Sequence, residues 1–265
     1  MTTPNRVLGT FCWHELHTRD RARAVDFYTK LVGWKATGTG ADMYTEWVTP
    51  AGDHVGGVMD MPPGVPPEVP ASWNGYVNVE DVDQSAKRAV ELGGRVLAPP
   101  HDIPNVGRFC PIADPTGACL HLFKGIGDNG CKKPDMGQGT FCWVELLTHD
   151  AANAERFYTQ LFGWTVSKMA MPNFEYTIFW APGAVPEKKE GWAGGMMQIG
   201  PEWGPIPSNW LVYINVADID AAAAMVPTLG GRILVPPADI PGVGRFSIAQ
   251  DPTGGVFALF IGRSS

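Results

Sequence analysis

The sequence lacks the features that would place it in a membrane or on nucleic acid. It contains no run of about 18 apolar residues, so no membrane-spanning helix is expected. Adjacent basic residues occur only as isolated pairs, such as Lys132-Lys133 and Lys188-Lys189, and the net charge is −7, which argues against nucleic acid as a partner. The opening residues MTTPNR have no apolar core of a secretory signal. We therefore expect a cytoplasmic protein.

A disulfide framework is lacking as well. The chain has 5 cysteines, an odd number, and none of them shows the CxxC spacing that is typical of structural metal or redox sites. Reduced thiols are the simplest interpretation. A length of 265 residues with 45% hydrophobic and 18% charged residues is typical of a globular chain with two ordinary domains.

What the sequence does contain is one phrase written twice. FCWHELHTRD begins at Phe11 and FCWVELLTHD begins at Phe141, and the tetrapeptide DPTG recurs at 114–117 and 251–254. We predict two modules, copy 1 (residues 1–124) and copy 2 (residues 140–265), joined by a Gly-rich linker at 125–139. The offset between the copies grows from 130 to 137 residues, and we place this insertion near 185–192.

The residue pattern of each copy predicts two successive units with the element order βαβββ. A short strand leads to Asp20, a plausible N-cap, and the following helix has one apolar face, formed by Ala24, Phe27, Tyr28 and Leu31. Short strands follow at about 44–48 and 55–59, then a Pro-rich crossing. The second half predicts a strand at 75–79, a helix at 83–92 and strands near 95–97, 109–113 and 119–123. The fold class is therefore α+β.

This order, with the phrases FYTKLVGW, VNVEDVDQSAKRAVELGGRV and IADPTGACLHLF, resembles the vicinal oxygen chelate superfamily. That superfamily includes glyoxalase I, bleomycin resistance proteins and extradiol dioxygenases. The stretches DIPNVGRFCPIADPTGA and DIPGVGRFSIAQDPTGG are most similar to tandem-domain glyoxalase-like proteins related to a mycobacterial culture-filtrate antigen. The resemblance implies that two βαβββ units form a cup-shaped mixed sheet with helices outside and a small ligand inside. Fold does not determine function, so the residues must be interpreted individually.

Strand alternation predicts which side chains face the ligand. In the opening strands the predicted cup face carries Phe11, Trp13, Glu15 and His17, and in copy 2 Phe141, Trp143, Glu145 and Leu147. The opposite face, which includes His14, is expected to pack under the helices. Later strands and turns add further candidates, namely Asn74, Tyr76, Asn78, Arg108 and His121, and in copy 2 Tyr213, Asn215 and Arg245. The two arginines are expected to clamp an anion, pair with the glutamates or form surface ion pairs.

Of the metal-ligand types that the resemblance implies, only one histidine, His121, reappears at the corresponding positions. The corresponding positions carry Trp13, Asn74 and His121 in copy 1, and Trp143, Leu211 and Ala258 in copy 2. The fourth position falls on glycine in both copies. An indole has an N–H donor and no lone pair for a metal, whereas stable sites need three or four ligands. We therefore predict no metal cofactor, with a divalent ion disfavoured.

Three functions remain open. The first is metal-free binding of a small planar or aromatic ligand, as in bleomycin resistance, since Trp and Tyr stack on flat molecules. The alternative is an enzyme, a lyase, isomerase or dioxygenase, that uses Glu15 and His121 for acid–base chemistry or an atypical divalent metal. The third is an interaction module with vestigial cups. We expect a monomer or homodimer whose partner is a small molecule.

Overall fold

A computed structural model of the chain describes residues 7–38, 44–130, 137–171, 174–188 and 190–263. Within these ranges four α-helices and seventeen strands alternate in the predicted α+β pattern. None of the helices described is both long and apolar enough to cross a membrane. The predicted linker at 125–139 lies partly outside the described residues. The module boundaries therefore stay predictions.

Copy 1 contains the predicted βαβββ pattern twice, and in its second unit the strand after the helix is divided into two short strands that both pair with the next strand. Its elements are β1 (Phe11–Thr18), α1 (Arg21–Val32), β2 (Lys35–Thr37), β3 (Tyr44–Val48), β4 (His54–Asp60), β5 (Ser72–Asn78), α2 (Val82–Glu91), β6 (Arg95–Val96), β7 (His101–Ile103), β8 (Gly107–Ala113) and β9 (Cys119–Gly125). The sequence prediction missed β2 and β7. Both are three-residue strands with mostly exposed side chains, so neither shows an apolar periodicity.

Copy 2 repeats this order with a longer central hairpin. Its elements are β10 (Phe141–Thr148), α3 (Ala151–Phe162), β11 (Thr165–Ala170), β12 (Glu175–Val185), β13 (Glu190–Gln198), β14 (Asn209–Asn215), α4 (Ile219–Thr228), β15 (Arg232–Ile240), β16 (Gly244–Gln250) and β17 (Val256–Gly262). The β12–β13 pairing extends to Val185 and Glu190, whereas the β3–β4 pairing stops at Val48 and His54. The insertion therefore lengthens this hairpin, where we predicted it.

The helix starts follow the predicted N-cap chemistry. The side chain of Asp20 accepts a hydrogen bond from the backbone N–H of Arg23 at 3.0 Å, and Asp150 does the same for Asn153 at 3.0 Å. Each cap satisfies a backbone donor that the first helical turn leaves without a partner. The first helix of each copy then ends at a glycine in the left-handed conformation, Gly33 with φ 77° and Gly163 with φ 69°.

The strands form two mixed sheets, one for each copy. The first has the order β2-β3-β4-β1-β5-β9-β8-β6 with β7 beside β8, and the second has the order β11-β12-β13-β10-β14-β17-β16-β15. In both, the opening strand pairs in parallel with the last strand of its own half. This pairing puts Glu15 opposite Gly57 and Glu145 opposite Gly195.

The chain divides into two compact units, and each combines halves of both copies. The α1–α4 unit contains the described residues within 14–74, 134–143 and 211–265; the α2–α3 unit contains those within 1–13, 75–133 and 144–210. In the first, α1 packs against α4, and in the second, α2 packs against α3. Each unit thus joins the first half of one copy to the second half of the other.

A buried tyrosine joins the two halves of the α1–α4 unit. The Tyr28 hydroxyl donates to Asp251 Oδ2 at 2.9 Å and accepts from Trp73 Nε1 at 2.9 Å. Burial, and then the charge of Asp251, raises the pKa of Tyr28 well above its ordinary value, so the phenol stays protonated. The repeated FY and DPTG motifs therefore meet in this unit, one from each copy.

The α2–α3 unit contains the same arrangement. The Tyr158 hydroxyl donates to Asp114 Oδ2 at 2.9 Å and accepts from Trp210 Nε1 at 2.9 Å. Asp114 Oδ1 also accepts from the backbone N–H groups of Thr116 at 2.8 Å and Ala118 at 3.0 Å, which shapes the DPTG turn. We call these two networks the tyrosine latches.

Two residues predicted to face the cup lie in aromatic cores instead. Phe11 packs against Trp210, with ring centroids 5.1 Å apart, in the α2–α3 unit. Phe141 packs against Trp73 at 5.3 Å in the α1–α4 unit. The prediction for both phenylalanines was wrong because alternation was applied from the first residue of each strand, where the side chain instead fills the neighbouring core.

Candidate functional site

The predicted site residues are shared between the two units. The α2–α3 unit holds Trp13, Tyr76, Asn78, Arg108, His121 and Glu145; the α1–α4 unit holds Glu15, His17, Asn74, Trp143, Tyr213, Asn215 and Arg245. The two residues predicted to be catalytic, Glu15 and His121, thus belong to different units.

In the α1–α4 unit, Glu15 is a buried carboxylate with an imidazole partner. Its side chain is 5% exposed, and its Oε1 lies 2.6 Å from His17 Nε2. Because the pair is i,i+2 on β1, both side chains share one face of the strand. The ring of Tyr44 lies over Gly57, which pairs with Glu15, and a Cβ at Gly57 would collide with the Tyr44 phenol. Glycine at 57 therefore makes room for a phenol beside the carboxylate.

In the α2–α3 unit, Glu145 has a phenol partner. The Tyr176 hydroxyl donates to Glu145 Oε1 at 2.7 Å, and Glu145 is 7% exposed. A Cβ at Gly195, which pairs with Glu145, would collide with the Tyr176 phenol. Both units therefore contain a buried glutamate, a glycine opposite it and a tyrosine over that glycine.

Neither tyrosine was predicted as a site residue from the sequence. The glycines were interpreted only as positions that offer no metal donor, whereas the structure fills the space above them with phenol rings. A signal was available, since Tyr44 and Tyr176 each begin a Tyr-Thr pair in corresponding strands. Three residues later come Trp47 and Phe179, which are fully buried, so alternation puts the tyrosines on the opposite face.

The two tryptophans on which the ligand prediction depends are half-buried. Trp13 lies before buried His14, and Trp143 lies between buried Cys142 and Val144. Each is two residues before a glutamate, so alternation places it on the face of that glutamate.

His121 packs within a row of ring side chains in the α2–α3 unit. The His121 ring meets Tyr76 edge-on at 4.4 Å between centroids and lies 5.7 Å from Phe109. Phe123 lies 5.9 Å from Tyr76. Exposed His101 on β7 packs against Phe109 at 4.0 Å. We call these five residues the aromatic row; sequence analysis had identified only Tyr76 and His121 as site residues.

The corresponding strands of the α1–α4 unit contain the same aromatic residues without imidazoles. Tyr213 lies 6.4 Å from Phe260, and its partner on β17 is Ala258, where β9 has His121. Phe246 pairs with Ala238, where β7 has His101 opposite Phe109. The two copies thus differ at two positions that sheet pairing makes equivalent.

Three asparagines predicted to bind ligand have backbone partners. Asn78 Nδ2 donates to the Gly130 carbonyl at 2.8 Å, and Asn215 Nδ2 donates to the Gly137 carbonyl at 3.2 Å. Both amides therefore bond to residues that flank 131–136, one on each side. Asn74 Nδ2 donates to the Ser72 carbonyl at 3.1 Å. A ligand-binding role for these residues remains a prediction.

The two arginines form surface ion pairs with aspartates. Arg108 contacts Asp83 at 2.7 Å and Asp102 at 3.0 Å. Arg245 repeats this arrangement with Asp220 and Asp239. These bonds raise the pKa of both guanidinium groups above the ordinary value. A ligand clamp by these residues also remains a prediction, and it would require the ion pairs to open.

His14 has the structural role that its strand face predicted. It is buried and stacks on Phe141 with centroids 4.3 Å apart. Burial lowers the pKa of His14 to about 3, so the imidazole is neutral at pH 7. In copy 2 its position is occupied by Val144, another apolar contact.

The donors at the positions implied by the resemblance do not fit a divalent ion. Of Trp13, Asn74 and His121, only His121 is a common ligand, and an indole cannot coordinate through a lone pair. Glycines occupy the fourth position, under the rings of Tyr44 and Tyr176. Within the part of the chain that the structure describes, no three His, Cys, Asp or Glu side chains are grouped to hold a metal.

Comparison with known proteins identifies the family. The family model described as "Glyoxalase/Bleomycin resistance protein/Dioxygenase superfamily" matches residues 10–122 and 140–259. "Putative glyoxylase CFP32" of Mycobacterium tuberculosis is 37% identical over 256 residues, covering 95% of this chain and 94% of the relative. "Anthracycline biosynthesis protein DnrV" of Streptomyces peucetius is 31% identical over 265 residues, covering 95% of this chain and 92% of the relative.

Solved structures support the same fold. The Mn(II)-bound glyoxalase from Novosphingobium aromaticivorans aligns with a TM-score of 0.66 at 16% identity, covering 96% of this chain and 82% of that chain. The 2,3-dioxygenase LapB from Pseudomonas sp. KL28 aligns with a TM-score of 0.63 at 12% identity, covering 98% and 94%. With its two βαβββ modules and these matches, the chain belongs to the glyoxalase/bleomycin resistance protein/dioxygenase superfamily.

Proposed function

We propose that this protein binds a small planar organic ligand, without a divalent metal, on the faces that carry Trp13 and Trp143. Support comes from the first-strand metal position, which carries an indole ring in both copies, Trp13 and Trp143. Aromatic side chains favour stacked or edge-on contacts with planar molecules. Small-molecule sites typically combine apolar walls with a few polar groups. Among the buried polar groups, Glu145 and His121 share a unit with Trp13, and Glu15 shares one with Trp143.

The observation that carries the proposal is the aromatic row of the α2–α3 unit. His121 is 5% exposed and lies among Tyr76, Phe109 and Phe123. The two imidazoles of the row lie among aromatic rings and suit stacking and one hydrogen bond each, whereas a stable metal site needs three or four N, O or S donors. The chemistry of the row therefore favours an aromatic ligand over an ion.

The class of ligand is suggested by one relative. The protein from Streptomyces peucetius is named an anthracycline biosynthesis protein and aligns with 95% of this chain. Anthracyclines contain a fused, planar aromatic ring system with hydroxyl and carbonyl oxygens. We take daunorubicin as the first probe because its flat rings match the stacking surface proposed above.

The test is calorimetric titration of daunorubicin into the full chain after treatment with a chelator. We expect saturable binding to chelated protein, weakened about tenfold in Trp13→Ala by loss of ring stacking. Trp203→Ala is the matched control, since Trp203 is 38% exposed in a short 3₁₀ turn, Pro201–Trp203. Trp143→Ala measures how much the corresponding tryptophan of copy 2 contributes to the affinity. Unchanged affinity in both Trp13→Ala and Trp143→Ala, or binding only after Mn²⁺ or Zn²⁺ is added, would contradict the proposal.

The second candidate is an acid–base enzyme of the same superfamily. It is favoured by the 2.6 Å contact between Glu15 and His17, because a buried carboxylate beside an imidazole can move a proton. The pair would abstract a proton next to a carbonyl of the bound molecule, and His121 in the α2–α3 unit is the other proposed acid–base residue.

This candidate is tested by hydrogen exchange. Daunorubicin has C–H groups next to a ketone, and a positioned base would speed their exchange in D₂O, which NMR measures. We expect faster exchange with wild type than in buffer, and loss of that excess in Glu15→Gln. Glu145→Gln is the matched control, because Glu145 has Tyr176 as its partner. Exchange at the buffer rate with ligand bound would reject the enzyme and leave the binding proposal intact.

A further inference from the structure

The two histidines of the aromatic row are not needed to build it. Copy 2 forms the corresponding strands with Tyr213, Phe246 and Phe260, and it has Ala238 and Ala258 at the two histidine positions. An alanine methyl group satisfies the packing requirement at both positions without a polar atom. Imidazoles at the same positions in copy 1 therefore call for an explanation other than packing.

His101 lies on strand β7, which pairs with β8 and so puts His101 opposite Phe109. The His101 Nδ1 lies 3.0 Å from the Pro99 carbonyl, which can only accept, so Nδ1 carries the hydrogen. Nε2 is then the nitrogen that can serve a ligand, as an acceptor when the ring is neutral and as a donor when it is protonated. The imidazole is exposed and also packs on Phe109 at 4.0 Å. It therefore combines a polar atom with a flat apolar surface.

His121 supplies a second imidazole that also contacts the Phe109 ring. Phe109 lies 4.0 Å from His101 and 5.7 Å from His121 between ring centroids. His101 is exposed and His121 is buried, so the row runs from solvent toward the interior. A flat molecule on this row would meet a polar nitrogen near its outer edge and another near its inner edge.

We propose that His101 and His121 recognise oxygen atoms on the rim of a planar aromatic ligand, such as the hydroxyl groups of a hydroxyquinone, and that copy 2 lacks this recognition. The inference rests on the proposed function and refines it by naming the ligand class and a specificity residue, His101, that sequence analysis did not identify. Imidazole nitrogens both donate to and accept from hydroxyl oxygens, whereas the alanines of copy 2 do neither.

The experiment compares two probes that differ in hydroxyl groups. Alizarin red S is an anthraquinone with two adjacent hydroxyls and a sulfonate; anthraquinone sulfonate has the same rings and a sulfonate but no hydroxyls. Both are titrated into the full chain in calorimetry. We expect wild type to prefer alizarin red S, and His101→Ala and His121→Ala each to reduce that preference about five- to tenfold through loss of a hydrogen bond. Affinity for anthraquinone sulfonate should change less than about twofold.

Two controls separate recognition from folding. His54→Ala removes another exposed imidazole, which pairs with Glu46 in the α1–α4 unit, and it should leave the preference unchanged. Because His101 is exposed, His101→Ala should unfold at the same urea concentration as wild type, which keeps the result interpretable even if His121→Ala folds poorly. The reverse change, Ala238→His with Ala258→His, should add preference for the hydroxylated probe.

The outcomes distinguish this inference from the proposed function. If wild type binds both probes equally, or if His101→Ala retains the full preference, the histidines do not recognise oxygen and planar binding still stands. If wild type binds neither probe nor daunorubicin, planar binding itself fails and the inference fails with it. A preference that disappears in His101→Ala but not in His54→Ala would establish the inference.

Discussion

The α1–α4 unit and the α2–α3 unit have the same framework and different chemistry. In the first, Tyr28 connects Asp251 and Trp73, and in the second, Tyr158 connects Asp114 and Trp210, with 2.9 Å for all four hydrogen bonds. The groups that these latches join are buried, so every polar atom needs its partner. Such networks tolerate little change, which explains why both copies retain the same residues.

The residues that differ lie on the sheet faces. His17 corresponds to Leu147, His101 to Ala238 and His121 to Ala258. Glu15 has an imidazole neighbour, whereas Glu145 accepts from a phenol. A side chain outside the latches can change its chemistry without breaking the latch hydrogen bonds. The difference therefore indicates that duplication preserved the scaffold while the two faces acquired different polar groups.

The largest effect is expected from breaking either latch. Tyr28→Phe and Tyr158→Phe each leave a buried indole N–H and a carboxylate oxygen without the phenol, which should cost about 3 kcal/mol of unfolding free energy. Urea denaturation followed by circular dichroism measures the loss. If the units are equivalent, the two losses should agree within about 1 kcal/mol.

The control for the latches is Asp239→Asn, which removes only a surface partner of Arg245 and should have little effect. If one tyrosine variant loses little unfolding free energy and the other loses much, the two latches have the same geometry but contribute differently to stability.

The next effect is a difference in pH dependence. The pKa of His14 is lowered from 6.5 to about 3 in the folded state, so between these values the unfolded chain binds more protons. Stability should therefore fall as pH falls through this window, by about 2 kcal/mol from pH 7 to pH 5 for this one group. His14→Val, which copies Val144, should remove that part of the loss. Urea melts at both pH values measure it, and equal pH dependence in the two proteins would contradict the assignment.

A smaller effect is expected at the Glu145–Tyr176 pair. Tyr176→Phe removes the 2.7 Å hydrogen bond to a buried carboxylate and should cost about 1 to 2 kcal/mol in the same urea assay. Tyr44→Phe is the comparison in the α1–α4 unit, where the Tyr44 ring lies over Gly57 and Glu15 has His17 as its hydrogen-bond partner. We expect Tyr44→Phe to lose less unfolding free energy than Tyr176→Phe. A larger loss in Tyr44→Phe would contradict this order.

The smallest effect is expected at the repeated arginines. Arg108→Met and Arg245→Met each break two exposed ion pairs, and such pairs are screened by water and salt. Both variants should unfold within about 1 kcal/mol of wild type. Daunorubicin titration of the same variants tests the predicted ligand clamp: a tenfold loss of affinity would restore these residues to the site.

Local chemistry explains how much of the fold the sequence predicted. The N-caps at Asp20 and Asp150 and the apolar helix faces depend on residues within a few positions of one another, so they can be recognised in a single chain. The resemblance extended this to the family and to the two modules. Strand β7 was missed because three mostly exposed residues after Pro99-Pro100 carry no periodic pattern.

The candidate site was predicted less completely, because its contacts join distant strands. Glu15 and Trp13 were found from alternation within one strand, whereas Tyr44 is recognised only when β3 and β4 pair and its ring lies over Gly57. His101 likewise becomes a neighbour of Phe109 only through the β7–β8 pairing.

The sequence by itself determined that one βαβββ pattern is written four times, since periodicity, capping residues and repeated phrases are properties of neighbouring residues. Only the tertiary structure decided that Tyr28 of copy 1 meets Asp251 of copy 2 and that Tyr158 of copy 2 meets Asp114 of copy 1. Either aspartate offers the same carboxylate in the same DPTG turn. The choice between them therefore depends on which helices pack together, a free energy spread over both copies and not encoded in any one motif.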